Sequence, residues 1–258
     1  MKELFKKFEL KGKISLVVGG SGQIGSETIK VLLAAGSTVI NIDKFNKKIN
    51  LKNYFYHNVD ISNENEIIKF RNIFEKKYKK LNILINHAHY VGKDKKSFFS
   101  ILEKYPTKEW KKTLGTNLDG LFYVTKHFIK FLLKNKNSVI LNTSSIYGKV
   151  SPNKRIYGTS GINSPIGYAT SKSAIIGFTK YIAAHYGDKG LRANILIPGG
   201  IENKTQSTDF KNKYKNLTPL KRFAKENEYK EAVLFLVSDA SSYMTGSEFI
   251  IDGGWTSW

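Results

Sequence analysis

A β-branched, apolar run at residues 13–18 leads directly into Gly19-Gly20-Ser21-Gly22-Gln23-Ile24-Gly25, and then into an apolar helical pattern through Ile29, Val31, Leu32 and Leu33. No other stretch restricts the fold as much as this strand, glycine turn and helix. Glycines at 19, 22 and 25 permit a tight turn, let backbone N–H groups approach a pyrophosphate and allow close helix packing, while the helix N-terminus favours negative charge. The next apolar run, residues 38–42, ends in Asp43, where a carboxylate accepts hydrogen bonds from adenosine ribose hydroxyls and repels a 2′-phosphate. These features predict a doubly wound α/β fold, a parallel sheet of about seven strands with helices on both faces. They also predict a preference for NAD(H) over NADP(H). Lys44, Lys47 and Lys48 follow closely and soften the repulsion, so NADP(H) stays open. A plain loop at 19–25 and a turn aspartate at 43 are the bland alternatives, and the flanking strand and helix weigh against both.

The alternation continues along the chain. Residues 54–59, 81–85, 139–141, 191–197 and 248–251 read as strands, and Ile67, Phe70, Phe74 and Tyr78 mark the buried stripe of a helix. Trp110, Leu114, Leu121, Val124, Phe128 and Phe131 mark another, and residues 226–236 form the last helix. Nothing marks a linker, so one domain over 1–258 is expected. Strand ends carry Asp60-Ile61, Asn86-His87-Ala88-His89 and Pro198-Gly199-Gly200, at the side where open α/β sheets bind ligands. The spacing of His87 and His89 suggests a metal, but no third ligand accompanies them, so a loop beside the cofactor is expected and no metal site. Residues 203–215 are polar with little to anchor them, which suggests a lid over the substrate spanning about 200–218.

The chemistry concentrates between residues 142 and 172. The central strand runs into Asn142-Thr143-Ser144-Ser145 and so delivers a hydroxyl at its carboxyl end. Tyr168, Lys172, Ile175, Thr179, Ile182 and Tyr186 follow a 4,3,4,3,4 rhythm, which puts the phenol and the ammonium on one helix face. A lysine one turn from a tyrosine favours the phenolate, which makes the tyrosine a usable acid or base near neutral pH. Alone, the pair reads as exposed helix surface; beside a nucleotide-binding turn it reads as catalytic. Asn117 falls on an apolar stripe, between Leu114 and Leu121, and a polar group there must be satisfied. Two readings are open: it caps internal backbone groups, or it disturbs the helix and holds a water next to the lysine.

The formal net charge of +21 suggests nucleic acid or an anionic membrane. The lysines are scattered, as in Lys47-Lys48, Lys76-Lys77, Lys79-Lys80 and Lys111-Lys112, with no aromatic-basic stacking module, so neither partner is expected. An anionic small-molecule substrate remains compatible with the charge. The chain has no cysteine, which removes disulfides and thiolate metal sites, and no apolar run approaches the ~18 residues of a membrane span, so a cytoplasmic location is expected.

Together these pieces resemble the short-chain dehydrogenase/reductase family, from about Leu10 to Trp255. The resemblance implies that Tyr168 is the proton donor or acceptor, that Lys172 anchors the nicotinamide ribose and modulates the phenol, and that Ser145 aligns the substrate oxygen. It assigns Asn117 a proton-relay water. It places Gly19, Ser21, Gly22, Gln23, Ile24, Gly25 and Asp43 on the cofactor, with Asp60 and Ile61 at adenine, Asn86 at the cofactor-side strand end, and Pro198, Gly199 and Ile201 facing the nicotinamide amide. It also implies a homotetramer or dimer through the helices that hold Asn117 and Tyr168, where Phe122, Phe128, Phe131, Ile176 and Phe178 supply more apolar surface than one covered face needs.

Three departures stand out. Gln23 replaces a glycine of the usual turn and Val18 its threonine; Asn86-His87-Ala88-His89 replaces Asn-Asn-Ala-Gly; and a polar insertion at about 153–165 separates Ser145 from Tyr168. That insertion, with residues 238–246 and 252–256, is similar to a branch associated with bacterial surface-sugar and flagellin-glycan biosynthesis, which implies a sugar, sugar-phosphate or nucleotide-sugar substrate. The reaction expected is NAD(H)-dependent interconversion of a secondary alcohol and a carbonyl. A nucleotide-sugar epimerase or dehydratase with bound NAD, and a non-catalytic dinucleotide-binding protein, are the alternatives.

Overall fold

Runs of apolar and β-branched residues become strands covered on both faces, as parallel pairing with helical crossovers requires. A computed structural model describes residues 2–45, 51–158, 163–203 and 206–258. Helix α1 (Lys2–Lys6) precedes β1 (Ile14–Val18), α2 (Gln23–Ala34), β2 (Thr38–Asp43), β3 (Tyr54–Asn58), α3 (Glu64–Lys77) and β4 (Ile83–Asn86). The second half contains α4 (Lys95–Phe98), α5 (Thr107–Leu114), α6 (Gly120–Leu132), β5 (Ser138–Thr143), α7 (Ile146–Lys149), α8 (Ile166–Tyr186), β6 (Leu191–Pro198), α9 (Thr208–Leu217), α10 (Lys230–Val237) and β7 (Glu248–Ile251). All seven strands are parallel, in the order β3-β2-β1-β4-β5-β6-β7. The order reverses between β1 and β4, which opens a crevice at their carboxyl ends.

One face of the sheet is covered by α3, α6 and α8 through Phe70, Phe74, Phe128, Phe131 and Ile182; the other by α2 and α10 through Ile29, Leu32, Val233 and Leu236. A third cluster, built on Ile195, Ile197, Tyr214, Phe223 and Trp255, sits beside the strand ends. The expected strands are all present, with the third ending at Asn58, one residue early, and the fourth reaching Asn86. The last helix opens with a 3-10 turn, Glu226–Tyr229.

Two expectations change. The described residues of 206–215 are not weakly anchored: Tyr214 is buried in α9, stacked 4.2 Å from Phe223 and 4.4 Å from Trp255. Of the apolar residues assigned to a subunit interface, Phe128 and Phe131 are consumed by the core, Ile176 and Phe178 are partly buried, and Phe122 is exposed. Lys47 and Lys48, residues 159–162 of the insertion and residues 204–205 of the lid segment lie outside the described residues.

The ring of Phe128 meets Phe74 at 5.2 Å and Phe70 at 5.6 Å between centroids, with no exposed surface of its own. Phe128→Ala is expected to lose about 3–5 kcal/mol of unfolding free energy, measured by urea titration. A loss below about 1 kcal/mol would show that this cluster is not what joins α3 and α6 to the sheet.

Candidate active site

The glycine turn is positioned by polar residues on β2. Gly20 N–H donates to Asn41 Oδ1 at 3.0 Å, Ser21 N–H to Asp43 Oδ2 at 3.0 Å, and the Ser21 hydroxyl to the Phe45 carbonyl. Gly19 has φ +81°, and a side chain there would meet the backbone of Ala88; a Cβ on Gly25 would run into the Gly19 carbonyl and Gly20 Cα. No side chain caps α2, while Gln23, Ile24 and Gly25 of its first turn line a cavity of about 1120 Å³. Uncapped first-turn N–H groups at a cavity wall suit a phosphate anion, and Asp43 at the same wall suits a ribose. A dinucleotide therefore fits the residues present.

Gln23, the departure in this turn, does not block it. Its amide donates to Glu226 Oε1 at 2.8 Å and links the turn to the segment before α10. Lys44, expected to soften the field of Asp43, is paired instead with Asp60 at 2.6 Å. Ile61 lines the cavity, as do Pro198, Gly199 and Ile201, whereas Asp60 is occupied by Lys44 and by Ser62. Asn86 is turned into the sheet: its Nδ2 donates to Asn142 Oδ1 at 2.8 Å, and its buried Oδ1 has no protein partner. This residue holds β4 against β5 and is not part of the cavity wall.

At the carboxyl end of β5, Ser145 caps α7, its hydroxyl oxygen accepting from Tyr147 N–H at 3.2 Å. The same hydroxyl pulls down the pKa of the Tyr168 phenol, but burial outweighs it and the phenol stays above its usual range. Lys172 is 2% exposed, and burial lowers its amine to about 7. The expected lowering of the phenol by Lys172 is not what the geometry gives. The amine donates to the Thr143 carbonyl at 2.7 Å and lies 5.7 Å from the Tyr168 ring centroid.

Asn117 resolves into both of its readings in part. The helix is disturbed there: Gly115–Asp119 is a π-turn closed by Gly120 N–H on the Gly115 carbonyl. The amide also satisfies internal groups, accepting from Tyr90 N–H at 2.7 Å and donating to Ser171 Oγ at 2.9 Å, one residue from Lys172.

The far side of the cavity is aromatic. Tyr90, Phe98, Phe99, Tyr147, Tyr157, Phe210, Tyr214 and Phe223 line it beside Tyr168. His89 stands edge-on to Tyr168 at 6.0 Å between centroids, where the family pattern has glycine. Desolvation within the cavity and then the charge of Lys172 lower the pKa of its imidazole, although the residue itself remains exposed. Tyr147 and Tyr157 are bonded to each other, and burial pushes both phenols up. Sequence reasoning missed this aromatic wall, although Phe210, Tyr214 and Leu217 were spaced as one helix face within a segment taken as polar. It also missed Thr143 as the lysine's acceptor, for which a strand-end threonine gives no signal.

A parallel sheet with a nucleotide-binding turn at its switch point, and a serine, tyrosine and lysine gathered in the same crevice, defines a dinucleotide-dependent oxidoreductase. A family model described as enoyl-(acyl carrier protein) reductase matches residues 24–256. A 3-oxoacyl-acyl-carrier-protein reductase of Thermotoga maritima is 33% identical, with 95% of this chain and 98% of that protein covered. A short-chain dehydrogenase from Leptospira borgpetersenii, solved with bound NAD+, is 35% identical with a TM-score of 0.88 over 97% of this chain and 95% of that one. An aldohexose dehydrogenase of Thermoplasma acidophilum is 25% identical, with a TM-score of 0.83 and 96% of each chain covered. The chain belongs to the short-chain dehydrogenase/reductase family, and is an oxidoreductase of CH–OH or carbonyl groups that uses NAD(P). The narrower resemblance to surface-glycan biosynthesis finds no support in the Thermotoga relative, whose name carries an acyl substrate.

The Lys44–Asp60 pair generates a test of cofactor choice. Asp60→Asn frees Lys44 beside Asp43 and is expected to narrow any preference for NAD+ over NADP+ by up to about fivefold, the scale of a partly exposed ion pair. Calorimetric affinities for both cofactors measure it, and an unchanged ratio would show that Lys44 does not reach the 2′ position.

Proposed function

We propose that the protein interconverts a secondary alcohol and a carbonyl with NAD(H), by a proton transfer through Tyr168. The observation that carries this reading is the placing of Ser145 against the Tyr168 phenol, in the cavity whose other end is the glycine turn. When bound, the nicotinamide accepts or delivers hydride. Tyr168 takes the alcohol proton in oxidation and returns it in reduction, and the Ser145 hydroxyl, here bonded to the phenol, turns to donate to the same substrate oxygen when substrate binds. Lys172 anchors the ribose side of the site, and Asn117 fixes the turn of α8 that carries both residues. Asp43 at the wall supports NAD(H) over NADP(H), and the NAD+ bound by the Leptospira relative is consistent with that choice.

The aromatic wall supports a substrate with an apolar body next to its reacting oxygen, as a 3-oxoacyl chain has, more than it supports a free sugar. A sugar remains the second reading, favoured by the likeness to an aldohexose dehydrogenase. Exposed Phe122 on α6 and Tyr181 on α8 support a homo-oligomer built through those helices.

Tyr168→Phe is expected to fold and bind cofactor normally while turnover falls on the order of a hundredfold or more. Absorbance of reduced cofactor with a 3-oxoacyl thioester reads it, and near-normal turnover would remove the catalytic assignment. Oxidation needs the deprotonated phenol and reduction the protonated one. Burial holds the free phenol high, so the oxidation rate should climb with pH across the neutral and alkaline range, whereas reduction should stay level until pH nears the raised pKa of the phenol and slow only there. Parallel pH profiles in the two directions would contradict the shared proton carrier.

A further inference from the structure

The fourth strand is followed by a histidine that the proposed chemistry leaves unused. His87 is 6% exposed, and both ring nitrogens are engaged. Nε2 pairs with the Thr28 hydroxyl on α2 at 2.9 Å, and Nδ1 with the Thr143 hydroxyl at the end of β5 at 2.7 Å. The carbonyl of that same Thr143 accepts from Lys172 at 2.7 Å. A path of three hydrogen bonds therefore runs from the helix that begins at the glycine turn to the buried lysine.

A neutral imidazole carries one donor and one acceptor, and threonine hydroxyls rotate to match either, so the bridge is complete only with an uncharged ring. Burial first, then Lys172 and His89, hold His87 at about 3, which keeps it uncharged throughout the neutral range. An asparagine, the family's residue at this place, is too short to span both hydroxyls.

We propose that His87 is a positioning residue, which fixes Thr143, and with it the anchor of Lys172, against the helix that carries the nucleotide-binding turn. The inference rests on the role given to Lys172 above, and it makes Thr28 the remote end of the lysine's support. The groups facing Lys172 are His87 and His89 after β4, the neutral Thr143, Ser144 and Ser145 at the end of β5, and Tyr168 on its own helix. Among the described residues no carboxylate shifts either Lys172 or His87.

The test reads the cofactor-free protein. With lysine labelled at 13Cε, NMR follows the titration of Lys172, assigned by its absence from Lys172→Met and expected at about 7. Thr28→Val keeps the shape of the residue and removes only the hydroxyl, and Thr28 makes no contact with Lys172 except along this path. Loosening Thr143 admits water and relieves the desolvation that lowers the amine. Thr28→Val and His87→Phe should therefore each raise the titration midpoint by about half a unit or more. His87→Asn, too short to reach both hydroxyls, should raise the midpoint in the same direction as Thr28→Val. NAD+ affinity, measured by fluorescence, should weaken by about threefold in the same two variants, the scale of a modest hydrogen-bond loss. A bridge with only a structural role would lower the melting temperature and leave the Lys172 midpoint within about 0.2 units of its starting value, and that result overturns the proposal. If His87→Phe does not fold, Thr28→Val decides alone. Since no turnover is measured, failure here and failure of the Tyr168 assignment are read separately.

Discussion

A lysine amine enclosed between a strand end and a helix is the constraint around which the site is arranged. Burial disfavours its charge, and the remedy within the chain is a single well-placed acceptor, the Thr143 carbonyl. That carbonyl is available because β5 lies in the middle of the sheet and ends there. The helix is held to the strand end by the Ser144 hydroxyl on the Lys172 carbonyl at 2.7 Å, and to the π-turn by Asn117 through Ser171. Close approach at this point depends on Gly148, where any side chain would collide with the Ser144 hydroxyl and the Lys172 carbonyl. Tyr168 thus owes its position to bonds made one residue or one turn away from it.

The fold was legible because its signals are local and repeated. Each apolar run flanked by polar strand ends specified a buried parallel strand, and the glycine turn specified where the order reverses. The serine, tyrosine and lysine were legible by spacing. What escaped was set by contacts between distant segments. Asn86 looked like a ligand group by position, but the nearby Asn142 amide captures it; Lys44 looked free, but Asp60 comes from a different crossover to meet it. No pattern within a single segment encodes such pairings.

The substrate side illustrates a related limit. Lysines and asparagines dominate residues 203–215, and their number concealed the few rings that decide the packing. Tyr214 inserts between Phe223 and Trp255, and its hydroxyl accepts from Gly200 N–H at 2.7 Å, tying α9 to the end of β6. The segment expected to act as a lid is therefore fastened near its carboxyl end.

The π-turn at Gly115–Asp119 has a consequence for which length changes the chain tolerates. One extra residue within a turn rotates everything beyond it by about 100° relative to a regular helix. Because α5 and α6 are each packed independently, the rotation is absorbed locally and Asn117 is carried inward toward Tyr90 and Ser171. Deleting a single residue between 107 and 119 would restore regular winding and swing this amide away from both partners, whereas most substitutions at exposed positions of the same stretch leave it in place. Over evolutionary time the exposed positions of this part of the sequence should drift in composition while its residue count stays fixed.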